Sequence, residues 1–272
     1  GSARDCRSCA CLSAHGAFRS RWGICRFGGG FIEGNGAGKG SLHRNRYCDA
    51  TRPCPTSSTP LRISRETENG LHEGSFSECL LFARKGKNPI KIAYTQYNFV
   101  DGPDRIAYID SSLYGIPFEG VDAYVDGKGS MKGIVAKNIT LFDIDGEAMD
   151  KASLVTFLSE CLFVPNAALQ DYIRWEAIDA HHAKAVITAY GTTAEGIFTF
   201  NEDDEMIAFT TDDREATTMD GKSEKVRWSA ICGVYKEING IRQPTELKAV
   251  WHYDEGDFTY FDAKAAMMSY DK

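Results

Sequence analysis

From residue 90 to the C-terminus the sequence consists of short alternating segments separated by glycine- and aspartate-rich turns, and nothing else in it constrains the fold as strongly. The segment Pro89 to Val100, "PIKIAYTQYNFV", alternates apolar and polar residues with the period of a strand. After the turn signal "DGPD" comes "DRIAYIDSSLYGIPF", Asp104 to Phe118. The stretch Val121 to Gly146 holds Asp126-Gly127 followed by Lys128-Gly129, a hairpin marker. Further on, Ala183 to Gly191 and Glu195 to Glu202 flank a predicted turn at Thr192 and Thr193, and "DEMIAFTTDD" follows the acidic turn "NEDDE". Lys225 to Ile238 and Ile241 to Tyr253 meet at Asn239-Gly240, the strongest hairpin signal in the chain. "DEGD" then turns into "FTYFDAKAAMMSY". Roughly ten strands, nearly all hairpin-connected, predict a mainly β protein: a strongly curved antiparallel half-barrel that must curl or close.

One helix interrupts this pattern. Leu154, Val155, Leu158, Cys161 and Leu162 recur at helical spacing and form one apolar stripe. Asp150 is the expected N-cap, and Pro165 the expected stop, because proline disfavours a helical Val164. "NAALQDY" reads as a second short helical turn. A curved sheet cannot leave its concave face open to water, so the stripe is expected to cover it. The glycines at 127, 129 and 133 precede a strand rather than a helix, the wrong context for a dinucleotide loop.

Composition divides the chain. Residues 1–66 carry ten of its arginines but one lysine, 11 bases against four acids, and six of the nine cysteines. The remainder is acidic enough to bring the whole chain to a net charge of -7, which argues against a nucleic-acid partner. Cys6, Cys9, Cys11, Cys25, Cys48 and Cys54 with His43 contain one C-x2-C but no second knuckle, a poor match to a zinc site or a disulfide framework. Residues 1–66 therefore read as a poorly structured arm or as sequence outside the native reading frame, and residues 67–272 as a single β-rich domain. The opening Gly-Ser reads as an expression remnant, which leaves room for a native signal or anchor upstream. No apolar run is long enough to span a bilayer as a helix.

Several landmarks together resemble a bacterial family known mainly as proteins of unknown function. They are "DAYVDGKGSMKG" (Asp122 to Gly133), "SECLFVPNAALQ" (Ser159 to Gln170), "IRWEAID" (Ile173 to Asp179), "DDRE" (Asp212 to Glu215) and the run from Arg227 to Phe261. The resemblance covers about residues 75–272. It implies a sheet similar to the half-barrels of periplasmic lipoprotein carriers, which hold apolar ligands, and a location in the bacterial cytoplasm or cell envelope, and it implies no catalytic residues.

The side chains are consistent with a binding module. A curved sheet has more concave face than a short helix covers, so some aromatics should line a cavity. Tyr97, Trp175, Trp228, Tyr235 and Trp251, with Met131, are the candidate ligand-binding residues, and core packing is the alternative for most of them. Glu160, near the unfavourable end of the helix dipole, is either solvated or paired, with Arg214 its expected sheet partner; both join the candidate site. His181 and His182 are adjacent in a turn and point apart, as surface residues do. Asp122, Asp126, Asp143 and Asp145 lack an EF-hand pattern, no nucleophile elbow is present, and no metal or cofactor is expected. An apolar small molecule or lipid is the expected partner. A hydrolase using Glu160, Asp126 or a histidine in the same cavity, and a protein-interaction domain with a filled interior, are the alternatives.

Overall fold

The alternating segments become strands in a computed structural model that describes residues 72–82, 88–164, 166–217, 223–238 and 240–270. The arm of residues 1–66, Pro165 and Asn239 lie outside the described residues. The first half contains β1 (His72–Leu81), β2 (Ile90–Asn98), β3 (Arg105–Leu113), β4 (Ile116–Val125), β5 (Lys128–Val135) and β6 (Ile139–Ile144). Helix α1 (Glu147–Glu160) and a 3-10 turn (Ala167–Leu169) follow. The second half contains β7 (Ile173–Ala177), β8 (His182–Ala189), β9 (Thr192–Phe200), β10 (Met206–Thr211), β11 (Glu215–Thr217), β12 (Ser223–Lys225), β13 (Arg227–Ile238), β14 (Ile241–Tyr253) and β15 (Gly256–Tyr270).

All but β11 and β12, which pair with each other, form one 13-stranded sheet in the order β6-β5-β4-β3-β2-β1-β15-β14-β13-β10-β9-β8-β7. That is more than the roughly ten strands expected, and the sheet is not closed, since β6 and β7 are its two edges. The path is economical. Strands β1 to β6 run outward to one edge, α1 carries the chain to the other edge, and β7 to β15 return until β15 pairs with β1.

Helix α1 packs on β5 and β4 near one edge and on β9 and β8 near the other. In a flat sheet β5 and β9, nine strand steps apart in this order, would be separated by about 43 Å. A helix of 14 residues is only about 21 Å long and about 10 Å wide. The sheet therefore wraps around the helix, which is the curvature the sequence predicts.

The helix stripe is buried as expected: Leu154, Val155, Leu158 and Cys161 are fully enclosed, Phe157 joins them, and Leu162 is half-buried against the same core. The start of the helix differs from expectation. It begins at Glu147 after Gly146, whose φ of 103° favours glycine, so Asp150 lies inside the helix rather than capping it. Its buried carboxylate instead accepts the Gly129 N–H at 2.7 Å and the Lys128 ammonium at 3.0 Å. Gly129 has to be small, because a Cβ there would clash with the Met149 carbonyl oxygen. Asp150 and Gly129 thus fasten the N-terminal end of α1 against β5. The predicted second turn is the 3-10 turn, held by the Trp175 indole donating to the Ala168 carbonyl at 2.9 Å.

Two hydrophobic clusters result. The larger lies under α1 and includes Phe198, Phe209, Met206 and Trp228; the smaller groups Cys79, Ile92, Ile109, Phe118 and Ala263. Leu247 and Phe261 pack against both.

Candidate functional site

A cavity opens between the two clusters, beneath the C-terminal end of α1. Its empty volume is about 840 Å³, part of it open to solvent. Ile92 on β2, Ile109 on β3, Met131 on β5, Trp228 on β13, Leu247 on β14 and Phe261 on β15 give it apolar walls, with Leu81 and Phe163 completing them. Most of these residues alternate onto the concave face of strands whose other residues face outward, which is how an open sheet presents one apolar surface.

One wall is polar. Along β3, Arg105 stands in the same alternation phase as Ala107 and Ile109, and all three are buried. Gln96 and Asn98 share the phase of Ile92 and Tyr94 on β2. The register sets Arg105 opposite Asn98 on one side and Tyr124 on the other, diagonal to Gln96 and Asp122. The Arg105 guanidinium, 1% exposed, lies 3.0 Å from Asp122 and 3.9 Å from Glu160. It also donates to Gln96 Oε1 at 3.0 Å and to the Tyr94 hydroxyl at 3.2 Å. Gln96 Nε2 donates to Glu160 Oε2 at 2.6 Å and to Asn98 Oδ1 at 2.8 Å. The last residue of α1 is thereby tied to β2, β3 and β4.

The electrostatics follow from this geometry. Burial pushes the Glu160 carboxyl above its ordinary value of 4.5, and Arg105 with the Gln96 and Asn98 amides only partly offsets that. Burial works against the charge of Arg105, but Asp122, Tyr94 and Glu160 outweigh it and hold the guanidinium above its ordinary value. Burial likewise raises the Tyr94 hydroxyl and the thiols of Cys161 and Cys232, and lifts Cys79 to about 12. These three cysteines are enclosed and free, inert in the protonated form.

The expected pair Glu160–Arg214 is not formed. The cation beside Glu160 is Arg105, which the strand alternation directs inward under the end of α1. The Arg214 guanidinium lies over the Trp228 ring, 4.4 Å from its centre, and 5.5 Å from that of Trp251. Glu160, Arg214, Trp228 and Met131 all line the cavity, and Trp251 adjoins it, stacked on the lining residue Tyr260. Trp175 and Tyr235 pack elsewhere in the larger core, Trp175 against Phe198 and Tyr235 with its hydroxyl donating to the Met206 carbonyl. Tyr97 occupies the opposite alternation phase from Gln96 and meets the exposed Tyr108 edge to face, so it stands on the outer face. Sequence reasoning missed Arg105, Gln96, Asn98 and Asp122 as lining or supporting groups. Their signal was a polar residue in the apolar phase of a strand.

Elsewhere, His182 contacts Asp179 at 2.8 Å on the surface, and Asp143 pairs with Lys132. Among the described residues no three His, Cys, Asp or Glu side chains converge as a metal site.

A family model matches residues 76–263. The chain belongs to DUF6544, a family of unknown function. The matched span runs from β1 into β15 and includes every cavity-lining strand. No curated protein matches the chain. Among solved structures it is similar to a LolA superfamily protein from Nitrosomonas europaea, with 10% identity and a TM-score of 0.39 over 76% of this chain and 88% of that one. A DUF1329 family protein from Desulfovibrio piger is similar at 13% identity and a TM-score of 0.42, over 74% of this chain and 85% of the other. No helix among the described residues of this DUF6544 chain is long and apolar enough to cross a membrane.

Proposed function

We propose that this protein is a binding module that holds an apolar or lipid-like small molecule on the concave face of its sheet. The observation that carries the reading is the gap between the two hydrophobic clusters. Ile92, Ile109, Met131, Trp228, Leu247 and Phe261 face open volume where a fully packed interior would place side chains against side chains. A continuous core would have supported a purely structural or interaction domain instead. Glu160, with its raised carboxyl, is engaged by Gln96, Asn98 and Arg105 and serves to fix α1 across the strands.

Titration with dodecanol, followed by tryptophan fluorescence, tests the reading. The expected result is a saturable change that persists in Trp175→Phe and is reduced in Trp228→Phe. It should be lost in Ala230→Trp, which places an indole in the cavity from its lining position on β13. Absence of saturable binding, or binding unaffected by Ala230→Trp, overturns it.

A further inference from the structure

The charges around the cavity are unevenly satisfied. Five ionisable residues other than tyrosine line it: Arg105, Asp122, Glu160, Arg214 and Lys248. Arg105 sits between two carboxylates, and Lys248 has Asp262 at 3.7 Å. Among the described residues, no carboxylate pairs with Arg214. Its guanidinium rests on Trp228 and beside Trp251, and its Nε is buried without a hydrogen-bond partner.

A guanidinium lying on an indole face is positioned by that contact but keeps its in-plane N–H groups for two oxygens of a carboxylate or phosphate. A cation beside apolar walls also gains from an anion that arrives together with apolar surface, because both are desolvated in one event. The Arg105 end offers no such place. A second anion there would stand next to Asp122 and Glu160, and burial already disfavours the ionised form of Glu160.

We propose that the ligand is an acidic amphiphile whose carboxylate or phosphate headgroup is held by Arg214 while its tail occupies the apolar cavity. This rests on the binding reading above and narrows it to a chemical class. The indole beneath Arg214, Trp228, is itself 3% exposed and anchored by donating to the Tyr260 hydroxyl at 3.1 Å, so the cation is presented from a fixed base.

Calorimetric titration of the full chain with dodecanol, dodecanoate and dodecyl phosphate separates the two ideas, since the three share one tail. One or both acids should bind at least about tenfold more tightly than dodecanol, the scale of a charge-assisted hydrogen bond. Whichever acid binds more tightly identifies the headgroup. Arg214→Gln should abolish the preference, so that within that variant the acids bind no more tightly than dodecanol, and Arg214→Met, which keeps packing on Trp228, repeats the test should the glutamine variant not fold. Equal affinities in the unaltered protein, or a preference that survives loss of the guanidinium, overturn the acidic class while leaving the cavity reading intact. Failure of all three to bind overturns both.

Discussion

Removal of Arg105 should destabilise this molecule strongly. It is 1% exposed, and Asp122 and Glu160 both lean on it. Replacement by Met keeps much of the volume but leaves two carboxylates facing each other without a cation, a loss of about 3–5 kcal/mol on the scale of a broken buried pair. Glu160→Ala is milder. Arg105 keeps Asp122 at 3.0 Å, and the Gln96 amide still donates to Asn98, so about 1–2 kcal/mol is expected. At 3.9 Å, the attraction between Arg105 and Glu160 is about 4 kcal/mol at an effective dielectric near 20, most of which offsets their desolvation. The double variant should therefore lose less than the sum of the singles, by about 1 kcal/mol or more. Urea unfolding of the four proteins, compared at constant m-value, measures the cycle. Losses that add within about 0.5 kcal/mol, or an Arg105→Met protein as stable as its parent, would refute the claim that this cluster fastens the helix to the strands.

Three further outcomes are expected. Asp150→Ala strands the buried Gly129 N–H that its carboxylate accepts and should cost about 1–3 kcal/mol by urea unfolding; a neutral result would mean that Asp150 does not fasten the N-terminal end of α1. Glu160 has a folded-state carboxyl raised above its ordinary 4.5, so the folded protein binds the extra proton and its stability should fall as pH rises from about 4.5 through the raised value. Glu160→Gln should remove that component, so that parent minus variant stability declines with pH over this window; a difference that grows with pH reverses the assigned sign. Removal of residues 1–66, whose charge differs from the rest and which the family match does not include, should leave the melting temperature unchanged, and a large drop would make the arm part of the fold.

Much of the sheet was legible because its signals are local. Asp126-Gly127 forms the predicted turn between β4 and β5, both residues at positive φ. Two other hairpins of the same kind were misplaced or missed. Tyr190-Gly191, rather than Thr192 and Thr193, turns β8 into β9, and Tyr114-Gly115 divides a stretch that reads as one segment from Asp104 to Phe118. In both, a tyrosine takes the left-handed position that Asn or Asp usually advertises. Strand β1 was missed for a different reason. It sits mid-sheet, paired with β2 and with β15, which comes from the far end of the chain, and no local period announces that closure. The site was only half legible. Aromatic content pointed to Trp228, but the partner of Glu160 depended on which strand passes beneath the end of α1. Arg214 stood out by its isolation in sequence, whereas Arg105 was hidden among apolar neighbours whose phase it shares.

Native mass spectrometry of the protein as purified shows whether the cavity beneath α1 holds a ligand. The expected result is a population carrying one noncovalent apolar adduct, released on activation, and absent from Ala230→Trp protein that retains its far-ultraviolet circular dichroism. An adduct-free protein that also takes up none of the supplied dodecyl ligands, or one whose adduct persists unchanged when the cavity is filled, would contradict it.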